Sequence, residues 1–182
     1  MDVLTFREAR LADLDRIMAL EQAGFAPGNR EARAVYARRI EVFAAGSLLA
    51  CIGPQVVGCL FSDIWRTTDV PEAAHFALGH DILDRHDPQA GTELYVTSMT
   101  VDPARRGQRL GARVFAGGVA QLGDAFPHLA SVLLLVNQNW LPARRIYAAA
   151  GFDEIASLPG FFSPTPGCRE DGIVMRRALR PG

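Results

Sequence analysis

Residues 92 to 136 limit the architecture of this chain more than any other stretch. "TELYVTSMTV" (92–101) alternates apolar and polar residues and is rich in β-branched types, the pattern of a strand. It runs into "DPARRGQRLGARV", a basic turn holding Gly107 and Gly111. A helix follows that carries Leu110, Val114, Phe115, Val119 and Leu122 on one face. "ASVLLLV" (130–136) comes next and is apolar without interruption, as expected of a strand covered on both faces. Strand, turn, helix and buried strand in that order call for an α/β fold.

The flanking sequence fits the same class. "VLTFREA" reads as a first strand, and Leu11, Leu14, Ile17 and Met18 mark a helical stripe ending near Glu21. Pro27, Gly28 and Asn29 form a turn before a second helix with Ala32, Tyr36, Ile40 and Phe43 on one face. "SLLACI" and "QVVGCLFSDIW", split by Gly53-Pro54, form an antiparallel hairpin. The connection 66–92 holds His75, His80 and His86, with a short helix expected around 72–83. Connections of this length inside compact domains are often functional. Near the end, "NQNWLPARRIYAAAGF" reads as a helix with Asn139 as N-cap, Pro142 in the first turn and Gly151 as the stop. "FDEIASL" and "DGIVMRRAL" close the chain as strands. The expected fold is one α/β domain over residues 1–182, with a mixed, mostly antiparallel sheet of six to seven strands and about four helices.

Gly117-Gly118 falls in mid-helix, where each glycine costs about 1 kcal/mol against alanine. Close packing or a ligand is expected to require the pair. A formal net charge of −1 argues against a nucleic-acid partner held by bulk electrostatics. The N-terminus lacks a signal-peptide core and no apolar run approaches a membrane span, so a cytoplasmic protein with no membrane partner is expected. Cys51, Cys59 and Cys168 show no metal-like pairing and read as reduced thiols. No metal is expected, since the three histidines of 66–92 match no common zinc spacing.

A strand feeding a glycine turn and a helix start is an anion site, because unpaired N–H groups converge there at the positive end of the helix dipole. Gly107 and Gly111 let backbone approach a diphosphate, and Arg105, Arg106 and Arg109 supply charge. The same residues read equally well as a solvated basic helix start. Neither a P-loop nor a dinucleotide-binding glycine fingerprint is present.

Val101 to Gly111 has the form V-x-x-x-x-R-G-x-x-x-G, and Ala143 to Phe152 has the form A-x-x-x-Y-x-x-x-G-F. On these two motifs the chain resembles the GCN5-related N-acetyltransferases, the acyl-CoA N-acyltransferase fold, and the order of elements fits from about Leu4 to Leu179. The resemblance implies acetyl-CoA as cosubstrate. Its pyrophosphate would lie on the backbone of Gly107, Gln108, Arg109, Leu110, Gly111 and Ala112, with Arg106 beside it. The pantetheine arm would run along Met99, Thr100 and Val101, with the Met99 N–H polarising the thioester carbonyl. Tyr147 matches the tyrosine that protonates the departing thiolate, although by itself it reads as a core tyrosine of an amphipathic helix. The resemblance also implies an amine acceptor, attacked directly in a ternary complex, and homodimers are common among similar proteins.

Glu154 stands where the branch acting on protein N-termini carries a catalytic glutamate. Glu93, Asp63 and the histidines of 66–92 are other bases, and Arg144 and Arg145 could reach the 3′-phosphate. Three departures stand out. Arg109 replaces a usual glycine. The usual asparagine falls on Trp140, with Asn139 adjacent. Phe161 and Phe162 replace a tyrosine pair. The connection 66–92 loosely resembles that of the arylalkylamine branch, but Tyr95 and Thr97 stand where that branch has two histidines. Tyr36, Trp65, Phe161 and Phe162 could wall an aromatic-amine pocket. A small amine and a protein N-terminus both remain open as acceptor. So does a domain that binds acetyl-CoA as a sensor without turnover.

Overall fold

A computed structural model describes residues 3–105 and 109–179. Seven strands form one sheet in the order β1-β2-β3-β4-β5-β7-β6. They are β1 (Leu4–Glu8), β2 (Ser47–Ile52), β3 (Gln55–Trp65), β4 (Glu93–Val101), β5 (Ser131–Asn137), β6 (Asp153–Phe162) and β7 (Glu170–Ala178). Four helices flank it: α1 (Leu14–Gly24), α2 (Arg33–Val42), α3 (Leu110–Ala125) and α4 (Leu141–Ala149). The mixed sheet and helix number match the expectation. Only β4 and β5 pair in parallel, and every other neighbouring pair is antiparallel.

Strand alternation divides the core between the two faces. Cys59 and Phe61 of β3 pack with Ile17 and Leu20 of α1 and Tyr36 and Ile40 of α2. Leu60 and Ile64 point the other way, onto Phe115, Val119 and Leu122 of α3. The mid-helix glycines explain how closely α3 lies on the sheet. A Cβ on Gly117 would stand 2.5 Å from the Phe6 ring, and one on Gly118 would stand 3.0 Å from Leu60 Cδ1. Packing, rather than a ligand, accounts for both.

Four local expectations need correction. Leu11 is exposed and belongs to a 3-10 turn ahead of α1, not to its buried stripe. No helix spans 72–83; two single 3-10 turns, Ala73–Phe76 and Ile82–Asp84, occupy the connection instead. Two of its three histidines are tied down, not solvated. His80 pairs with Asp63, and His86 Nδ1 accepts the Ile64 N–H at 3.0 Å. Finally, β6 continues beyond Leu158 to Phe162, its register broken where Gly160 takes a φ of +62°.

The three cysteines are free thiols. Among the described residues no helix is long and apolar enough to cross a membrane, and no three His, Cys, Asp or Glu side chains converge as metal ligands would.

Candidate functional site

The parallel pairing of β4 with β5 covers only Glu93–Val96 against Ser131–Leu134. At that point β4 bulges. Phe61 of β3 faces Ser98 while Ser62 faces Val96, so Thr97 is the extra residue. Beyond it Ser98 to Val101 pair with β3 alone, whereas Leu135 to Asn137 of β5 pair with β7 alone. The two strands splay, and one side of β4 is left without a ladder partner. A cavity of about 1080 Å³ fills the gap and continues under α1 and α2.

The N-terminus of α3 closes one end of this cavity. Arg109 is its N-cap, with φ 52° and ψ 26°, and is the one non-glycine residue with a positive φ among the described residues. Leu110, Gly111 and Ala112 form the first turn of α3, the part of a helix whose N–H groups have no partner within the helix. Gly111 lets α3 meet α4 closely, since a Cβ there would stand 3.2 Å from Ile146 Cδ1. Arg105, Arg109 and Arg145 line this end, so dipole and side chains both favour an anion. Met99, Thr100, Val101, Leu110, Gly111 and Ala112 line the cavity. Arg106, Gly107 and Gln108 lie outside the described residues.

Tyr147 reaches the cavity from α4. Its ring meets Phe115 edge-on at 4.9 Å, and burial pushes its phenol up to about 12. It therefore keeps its proton at neutral pH and can give it to a strong base formed beside it. Asn139 lines the cavity as well but caps nothing, because α4 begins at Leu141 with Trp140 as N-cap. Its Nδ2 donates to Glu170 Oε1 at 2.9 Å. Trp140 stacks at 5.3 Å on Phe25 and at 5.2 Å on Phe162.

Glu154 is not brought to the cavity. It lies on exposed β6 and pairs with Arg144, which also donates to the Gln138 carbonyl. Glu93 is likewise withdrawn, held by Arg176 at 2.7 Å and Ser131 at 2.8 Å. Of the four aromatics expected to wall a pocket, Phe161 and Phe162 do so. Tyr36 and Trp65 are core residues, and Trp65 packs on Tyr95 at 4.1 Å.

The opposite end of the cavity is built from charged side chains. Glu21 of α1 is 2% exposed; its carboxylate accepts the Glu31 N–H at 2.7 Å and the Tyr36 hydroxyl at 2.6 Å. Burial raises Glu21 above the ordinary glutamate value, against the pull of those two hydrogen bonds. Tyr36 Oη is also hydrogen-bonded to Ser98 Oγ at 3.1 Å. Since the phenol proton is engaged by Glu21, the serine supplies the proton of that second bond. Glu21, Tyr36 and Ser98 thus form a chain of proton-bearing groups running to the free edge of β4. Arg39 of α2 pairs with Glu31 at 3.2 Å, and His80 Nε2 lies 3.1 Å from Asp63 Oδ2.

Sequence periodicity missed Glu21 and Arg39, yet a signal existed. Glu21 lies seven residues after Leu14 and four after Ile17, and Arg39 three after Tyr36, on the stripes that face the core. A charged residue on such a stripe is buried with a partner or beside a site.

No family model matches this chain, and no curated protein sequence matches it significantly. Solved structures do. The loading GNATL domain of CurA from Lyngbya majuscula superposes with a TM-score of 0.80 at 15% identity, over 97% of this chain and 98% of that one. The GphF GNAT-like decarboxylase in complex with isobutyryl-CoA gives 0.78 at 20% identity, over 97% and 100%. Arabidopsis thaliana Naa50 with the bisubstrate analogue CoA-Ac-MVNAL gives 0.70 at 16% identity, over 97% and 99%. The chain has the fold of the GCN5-related N-acetyltransferases.

Proposed function

We propose that this protein transfers an acyl group, acetyl first among them, from a coenzyme A thioester to a primary amine, by direct attack within a ternary complex. One observation carries the proposal: the unpaired edge of β4 leads from the arginine-flanked start of α3 to a buried, protonated Tyr147 and a buried carboxylate relay. The coenzyme A complexes of GphF and Naa50 support it.

The cleft suits a coenzyme A thioester, for the edge of β4 from Ser98 to Val101, paired on one side only, lines it together with Arg105, Arg109 and Arg145. The diphosphate would lie on Arg109 to Ala112 and on Arg106 to Gln108, and the pantetheine arm along Met99, Thr100 and Val101, with Asn139 across from them. When bound, the thioester supplies an activated acyl carbon. The Met99 N–H polarises its carbonyl. An alkylamine is almost wholly protonated at neutral pH and must shed a proton before attack. Ser98 Oγ takes a proton from the amine nitrogen and passes its own to Tyr36, which passes one to Glu21. Burial strengthens Glu21 as a base for that task. As the C–N bond forms and the C–S bond breaks, Tyr147 Oη protonates the sulfur, the nitrogen sheds its second proton to solvent, and the tyrosine is reprotonated from solvent.

Thermal unfolding with acetyl-CoA, coenzyme A or ADP in excess tests the binding step. A ligand at 100 times its Kd adds about 2.7 kcal/mol, worth roughly 5–10 °C for a chain of this size. Acetyl-CoA and coenzyme A should raise the midpoint and ADP far less; no shift from any of them refutes the proposal. Thiol release on adding amines then separates an enzyme from a sensor.

A second reading is favoured by one comparison, the GphF GNAT-like decarboxylase. There the same cleft would break the bond between the α-carbon and the carboxylate of a carboxylated acyl-CoA, releasing carbon dioxide and protonating the carbon. Carbon dioxide from malonyl-CoA without any amine would favour it.

A further inference from the structure

We infer that the acceptor is a small amine that also carries a carboxylate, and that Arg39 holds that carboxylate. The inference rests on the amine-acceptor proposal above and specifies its substrate class.

Arg39 is 1% exposed and lines the cavity from α2. Its guanidinium has one ion pair, Nη2 to Glu31 Oε1 at 3.2 Å, while Nε and Nη1 are buried without a partner. The other oxygen of Glu31 is turned to the Gly79 N–H, at 2.9 Å. Of the neighbouring acids only Asp63 keeps an oxygen, Oδ1, buried without a partner. Both oxygens of Glu21 are taken, by the Glu31 N–H and by Tyr36. Asp63 Oδ2 belongs to His80, whose Nδ1 lies 3.0 Å from the Ala77 carbonyl.

Two donors of a buried guanidinium are therefore left to whatever enters the cavity. Guanidinium groups match planar oxyanions in geometry and charge. A carboxylate sets one negative charge among Glu21, Glu31 and Asp63, where a phosphate would set two. Asn29 supplies the complementary feature: its Oδ1 is a buried acceptor without a partner, and the residue lines the same end of the cavity. It suits an N–H of the acceptor. Donors for a carboxylate and an acceptor for an amine, on residues that line one cavity, describe an amino acid or a close relative.

Size is limited from above. Gly28 donates its N–H to the Pro164 carbonyl at 3.1 Å, and a Cβ there would stand 1.9 Å from the Ser163 carbonyl oxygen. The segment between α1 and α2 thus touches the segment between β6 and β7. Phe25, Trp140 and Phe162 stack beside that contact. A polypeptide acceptor needs a path out for its chain, and this contact closes the one between these segments.

The test compares matched pairs with the full chain and acetyl-CoA: phenylalanine with phenethylamine, leucine with isoamylamine, and a free pentapeptide as size control. Each amino acid should exceed its carboxylate-free partner in kcat/KM by about ten- to a hundredfold, the range for hydrogen bonds to a charged group. In Arg39→Lys that ratio should collapse toward one. Should this variant misfold, the wild-type protein gives the answer alone, for 3-phenylpropanoate should compete with the amine and 3-phenylpropanamide should not. Equal turnover of both members of each pair, or faster turnover of the pentapeptide, overturns the inference and leaves amine acylation standing. Absence of any midpoint shift with acetyl-CoA overturns both. Carbon dioxide release from malonyl-CoA, lost in Arg39→Lys, would assign the carboxylate to the acyl chain and overturn the amine-borne source.

Discussion

Replacing Arg109 with glycine should make the free protein more stable and its complex with coenzyme A weaker. Arg109 caps α3 in the left-handed region, at φ 52° and ψ 26°. A side chain there costs roughly 1–2 kcal/mol. Glycine removes that strain but returns about 0.5–1 kcal/mol through the greater freedom of the unfolded chain. A positive side chain at a helix N-terminus also opposes the dipole by about 0.3–1 kcal/mol at low salt, and glycine removes this too. The balance is about 1 kcal/mol in favour of Arg109→Gly, or roughly 2–4 °C in Tm. In the ligand complex the sign changes. Loss of a charge-assisted hydrogen bond to phosphate costs about 1.5–3 kcal/mol, a ten- to hundredfold loss of affinity. Calorimetry of both proteins, with and without saturating coenzyme A, reads both effects, and Arg109→Ala separates them because it keeps the strain and loses the charge. If Arg109→Gly melts no higher than Arg109→Ala, the backbone is not strained. If coenzyme A binds Arg109→Gly as tightly as wild type, the side chain does not reach the phosphates.

Tyr147→Phe should lower kcat by about 10²- to 10⁴-fold, the usual span for a positioned acid, while the acetyl-CoA melting shift persists; equal loss of both makes Tyr147 a packing residue only. Glu21 has a raised pKa in the fold, so between the ordinary glutamate value and that raised value the native state binds more protons than the unfolded one, and stability falls as pH rises. Glu21→Gln should flatten that fall and melt higher than wild type at neutral pH, yet abolish the rise of activity that wild type shows across the same window. A pH titration of Tm and kcat for both proteins checks the pair of effects. In α3, Gly117→Ala gains about 1 kcal/mol of helix propensity but drives a Cβ to 2.5 Å from the Phe6 ring, and overpacking of that kind costs about 1–3 kcal/mol. It should destabilise, whereas Gly123→Ala, with nothing within 4 Å, should stabilise by about 0.5–1 kcal/mol in urea unfolding.

The element order, the mixed sheet and the strand-to-helix junction that opens α3 were legible in the sequence because each depends on short, local patterns. A strand that ends in a glycine turn and opens a helix needs its residues consecutively, and the α4 motif places Tyr147 by a fixed spacing on one helix. The splay was not legible. It arises where Thr97 is extruded from the ladder between Val96 and Ser98, and "YVTSM" carries no glycine or proline to mark a bulge. Glu154 misled for the converse reason: its place beside Gly151-Phe152 is a fact of sequence, while its side chain turns to Arg144 on the exposed side of β6.

The two ends of the cavity differ in how far apart their residues stand in the chain. A diphosphate is met largely by backbone N–H groups, so one turn suffices and the signal is compact. The end proposed for the acceptor is lined by Glu21, Asn29 and Arg39 from the first helical layer, His80 from the long connection, and Ser98 from β4. These are separated by up to 77 residues, since 98 − 21 = 77. None is joined to the next by spacing; what joins them is burial, for a carboxylate and a guanidinium on apolar helix faces must be answered from across the fold or by a ligand. Glu21 is answered by Tyr36 and the Glu31 N–H, but Arg39 is answered only in part. The end at the start of α3 therefore announces itself in a short run of sequence, and the opposite end becomes readable only when unpaired buried atoms are counted in three dimensions.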